Sequence, residues 1–72
     1  MEQLTVQERA IRRVQNWLKR YEALRPEGRA VVPSGVVTKM NALLEDLECS
    51  DAPPINFSLA MQAAGLILRM AR

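Results

Sequence analysis

A chain of 72 residues is one domain at most, and at this size folding buries only about 60% of the unfolded surface, so stability calls for a helper. Cys49 is the only cysteine and histidine is absent, which excludes an internal disulfide and an ordinary metal centre and leaves oligomerisation or an efficient helical core. With 49% apolar residues, 25% charged residues and a net charge of +2, the composition is that of a folded protein and excludes extended disorder.

Charge is unevenly spread. Residues 1–30 hold seven cations against four acids, and residues 31–72 hold three cations against four acids. Residues 1–5 lack a basic n-region and no long apolar run follows them, so no signal peptide is expected. The sequence Thr5-Val6-Gln7-Glu8 matches a capping box and predicts a first helix over residues 5–24, stopped by Pro26. At helical spacing Ala10, Ile11, Val14, Trp17, Leu18 and Tyr21 share one arc, with Val6 and Leu24 at its edge. Arg9, Arg12, Arg13, Lys19 and Arg20 fall on the opposite arc, and Arg13 is placed to stack over Trp17.

Residues 25–33 carry Gly28 and two prolines and read as a connection, with a short extended piece at residues 30–32. Val31 and Val32 are expected to pack under the helices. A second helix is predicted over residues 35–48 with Ser34 as its N-cap. Its apolar stripe is Val36, Val37, Met40, Leu43, Leu44 and Leu47, and Lys39, Asn41, Glu45, Asp46 and Glu48 lie outside it. Antiparallel packing of the first two helices would bring Glu45, Asp46 and Glu48 near Arg9, Arg12 and Arg13. Residues 51–54, Asp-Ala-Pro-Pro, end this helix.

The third predicted helix, residues 58–70 capped by Asn56 or Ser58, is apolar around more than half its circumference. Leu59, Ala63, Leu66 and Met70 form one stripe, assigned to the core. Met61 and Leu68, with Ala64 between the two stripes, form the other, and Gln62, Gly65, Arg69 and Arg72 a polar strip. Three helices of this size have nothing to cover a second stripe. Met61, Ala64, Gly65 and Leu68 are therefore the candidate surface for self-association or a partner. The run is too short and too interrupted to span a bilayer, which needs about 20 residues, and it has few cations for lying on one.

Nothing in the chain suggests catalysis or a cofactor. No histidine is present to act as a base, Cys49 has none to activate it, and no glycine-rich phosphate loop occurs. Glu45, Asp46 and Glu48 point in different directions around a helix and cannot converge on one cation. The expectation is an all-α domain of three helices, the first two antiparallel and the third central or at a dimer interface. Its expected role is that of a non-catalytic regulator or adaptor in the cytoplasm, a homodimer binding a larger protein. The alternative is a nucleic-acid-binding regulator that uses Arg9, Arg12, Arg13, Lys19 and Arg20. Against it stand the modest net charge and a proline-rich connection unlike a helix-turn-helix. Trp17, near the basic edge, is the candidate half-exposed anchor.

Overall fold

Thr5 and Glu8 cap each other as their spacing requires. In the computed structural model, which describes residues 4–50 and 53–71, the Glu8 N–H donates to Thr5 Oγ1 at 3.1 Å and the Thr5 N–H to Glu8 Oε1 at 3.4 Å. Helix α1 (Val6–Ala23) grows from this cap. It closes with the Leu24 N–H on the Tyr21 carbonyl at 3.1 Å, before Pro26.

Residues 26–31 then turn helical, which corrects the expected connection and extended piece. Helix α2 (Pro26–Val31) begins with proline at a position where a missing N–H is no loss and the fixed φ suits a helix. Gly28 weakens a helix interior by only about 1 kcal/mol, too little to break one that packing supports. Val32, just beyond α2, is buried, whereas Val31 stays exposed.

Helix α3 (Ser34–Cys49) has Pro33 at its N-cap, so Ser34 is its first helical residue and not the cap. Asp51 and Ala52 lie outside the described residues. Helix α4 (Phe57–Met70) starts one residue earlier than expected. Asn56 holds the N-cap position, its side chain makes no capping bond, and the Phe57 N–H reaches the Pro54 carbonyl at 3.0 Å. The architecture is all-α, with four helices among the described residues where three were expected.

Two side-chain contacts set the helix directions. The Gln7 amide donates to the Ser50 carbonyl at 2.6 Å, so the start of α1 lies by the end of α3 and the two run antiparallel. Arg13 lies over the ring of Phe57, with its guanidinium carbon 5.4 Å from the centroid, and Trp17 Nε1–H donates to the Ala64 carbonyl at 2.8 Å. Helix α4 therefore runs parallel to α1.

The close backbone approaches are of α1 to α3 and of α1 to α4. This corrects the expectation of a central C-terminal helix, because α1 is the wall that α3 and α4 share. Its arc from Leu24 through Val14 to Ile11 covers about 140°, wide enough to face two neighbours. The stripe of α3 packs as expected, with Met40, Leu43 and Leu47 buried and Val36, Val37 and Leu44 half-buried against them. The result is a slab of 37 × 27 × 17 Å. Its radius of gyration, 12.6 Å, exceeds the roughly 11 Å of a spherical domain of this length.

Candidate functional site

Helix α4 carries two apolar stripes on opposite sides, and only one of them meets the core. Phe57, Met61, Ala64 and Leu68 recur at helical spacing and face α1. Met61, Ala64 and Leu68 are 8%, 2% and 7% exposed. About 180° around the helix, Leu59, Leu66 and Met70 are 70%, 58% and 77% exposed, with Ala63 exposed among them. The excess of apolar surface is present, but the two stripes exchange roles. Met61, Ala64 and Leu68, expected at an interface, belong to the core, and the stripe expected in the core faces outward.

The physical cause lies at Phe57. Starting the helix at residue 58 leaves the only phenylalanine off the Met61 stripe. Starting it at Phe57 makes that stripe the bulkier of the two, continued by buried Ala71. Trp17 adds a second constraint, since a buried indole N–H needs an acceptor and small Ala64 lets the ring reach its carbonyl. Trp17 is 3% exposed, which corrects its assignment as a half-exposed anchor. Its ring stacks on Tyr21, with centroids 5.8 Å apart and planes 1° from parallel. Arg13 stacks over Phe57 in place of Trp17.

Beside the outward stripe, a groove of about 860 Å³ runs between α1 and α4. Met61, Leu68, half-buried Gly65 and Leu66 of the outward stripe line its α4 side, and Leu24 the end of its α1 side. Arg13 and Arg20 stand on the α1 bank and Arg69 on the α4 bank, and Asn16 and Gln62 also line it. Among the described lining residues every charge is an arginine. Sequence reasoning placed Gly65 and Arg69 on the polar strip of α4, but the pairing of that strip with the basic edge of α1 emerges only from the parallel packing.

Arg9, Arg12, Arg13, Lys19 and Arg20 are all exposed along one side of α1. Glu45, Asp46 and Glu48 are exposed at the end of α3, and among the described residues no ion pair joins them to Arg9, Arg12 or Arg13. The antiparallel packing is present without the charge pairing expected of it. Cys49 is an exposed free thiol. Among the described residues no group of three or more His, Cys, Asp or Glu is placed to hold a metal ion, and no helix is long and apolar enough to cross a membrane. Comparison with protein-family models, curated proteins and solved structures finds no match to this chain.

Proposed function

We propose that the protein is a non-catalytic interaction protein of the reducing cytoplasm, which pairs with a copy of itself and binds and modulates a larger protein as a regulator or adaptor. The observation that carries this is the outward stripe of α4, where Leu59, Leu66 and Met70 stand in water on a helix whose opposite face already fills the core. Along the helix the stripe extends about 16 Å. Small Ala63 in its middle lets a second helix approach.

Burial of a leucine or methionine side chain contributes about 1.5–3 kcal/mol. A two-fold interface counts each side chain twice, so the gross gain is comparable to the about 4–15 kcal/mol that association costs. The pair formed is reversible and not obligate. Analytical ultracentrifugation over a range of concentrations tests it. The unmodified chain is expected to show a concentration-dependent monomer–dimer equilibrium, and Leu66→Asp a folded monomer. A folded monomer at every concentration for the unmodified chain sinks the pairing.

The exposure of all five cations on α1 favours one alternative, a nucleic-acid-binding regulator. Duplex binding through several phosphates would weaken by orders of magnitude between about 50 and 200 mM salt. No binding at low salt removes this alternative.

A further inference from the structure

The groove between α1 and α4 has a property that the outward stripe lacks, which is a charge of one sign over an apolar floor. Arg13 and Arg20, two helical turns apart on α1, and Arg69 at the far end of α4 line it, and no carboxylate lines it among the described residues. Guanidinium groups pair with carboxylates through two parallel hydrogen bonds, and such pairs select a partner's orientation as well as its charge. From Arg13 to Leu24 the groove follows about 16 Å of α1, or three helical turns.

Gly65 leaves the middle of the groove open, a property that by itself is not peculiar to it, since Gly35 in α3 also meets nothing within 4 Å. The φ of Gly65 is not positive, and a Cβ built on it meets nothing within 4 Å, so neither backbone conformation nor internal packing requires glycine there. A glycine inside a helix nonetheless costs about 1 kcal/mol relative to alanine. What its missing side chain provides is room along the groove. The other glycine near α4, Gly28, is explained by internal packing, since its Cβ would lie 2.5 Å from the Ala71 carbonyl oxygen.

We infer that this groove receives an amphipathic helix of a partner protein, about three turns long. Its apolar side lies on Leu24, Gly65 and Leu66, above the buried Met61 and Leu68, and its flanking carboxylates pair with Arg13, Arg20 and Arg69. The inference rests on the proposed interaction role and names the partner's chemistry. A second copy of the chain is a poor occupant, because its exposed carboxylates at Glu45, Asp46 and Glu48 lie on α3 and its exposed apolar stripe on α4. A nucleic acid is disfavoured in the groove itself. Single strands bind through open aromatic faces, and Trp17, the groove's one aromatic residue, is buried.

The test uses a synthetic helical peptide of about 14 residues with leucines at i, i+3, i+4 and i+7 and glutamates on both flanks. Controls carry lysine for glutamate or serine for leucine, and a duplex oligonucleotide forms a further arm. Calorimetric titration of the full chain is expected to show binding of the glutamate peptide alone. The double variant Arg13→Glu/Arg20→Glu should weaken that binding by about tenfold or more and admit the lysine peptide. Gly65→Leu should abolish binding with the helical circular dichroism and melting temperature retained, while Gly65→Ala stabilises the fold. Equal binding of the lysine or serine peptide overturns the inference, as does undiminished binding by a folded Gly65→Leu, or binding of the oligonucleotide alone. Sedimentation keeps the two proposals apart. A monomer that binds the peptide overturns the α4 pairing and upholds the groove. Because Leu66 borders both surfaces, the peptide is also titrated into Leu59→Asp, which breaks the pairing and leaves the groove lining intact. A folded Leu59→Asp that ignores the peptide overturns the groove.

Discussion

Two glycines that look alike in sequence have opposite effects in the fold. A Cβ on Gly28 would press on the Ala71 carbonyl oxygen, a backbone atom that cannot swing away, whereas one on Gly65 meets open space. Gly28→Ala is expected to destabilise by about 1–3 kcal/mol despite alanine's better helix propensity. Gly65→Ala is expected to stabilise by about 0.5–1 kcal/mol. Urea midpoints of the two variants check the difference in sign. Trp17 offers a second residue-scale measurement, because its indole fills the junction of α1 and α4 and donates to the Ala64 carbonyl. Trp17→Phe keeps an aromatic ring but removes the donor and some volume, and it should cost about 2 kcal/mol. A loss below about 0.5 kcal/mol, the range of ordinary surface substitutions, would show that the hydrogen bond contributes little.

At the scale of the element, α4 makes a paired prediction. Leu68→Asp puts a charge against α1 and should unfold the chain at ordinary temperature. Leu66→Asp, two residues earlier on the outer side, should leave helical circular dichroism unchanged. The periodicity that made these stripes visible could not say which one faces inward. Both satisfy helical spacing, and the polar strip of Gln62, Gly65 and Arg69 lies on one flank, opposite neither. A helix start displaced by one residue left out Phe57 and tipped the choice. In α1 and α3 a single apolar arc stands opposite a charged one, and burial there follows the sequence pattern apart from Trp17, which is buried, and Val6 at the arc's edge, which is exposed. Helix α2 escaped notice because Pro26 and Gly28 read as breakers when taken alone. Proline at the first helical position is instead a start signal. The groove was not legible in one dimension, because it depends on α4 running parallel to α1.

For the molecule as a whole, a reversible dimer ties stability to concentration. If α4 pairs with its copy, the melting temperature should rise as protein concentration rises, and in Leu66→Asp it should not. Calorimetry over a hundredfold range of concentration checks this. The shared wall formed by α1 has a further consequence, for motion. Helix α4 lies closest to α1 and is joined to α3 through Pro53 and Pro54, so it can lift away as a unit while the α1–α3 pair stays closed. Backbone amides of α4 should then exchange with deuterium sooner than those around Val14 and Met40. Each such opening adds the inner stripe of α4 to the outer one already in water and leaves a vacancy on α1 that the same helix from a neighbouring molecule fits. Two chains that open together can therefore trade α4 arms, so the arrangement that makes the fold economical also equips it for domain exchange.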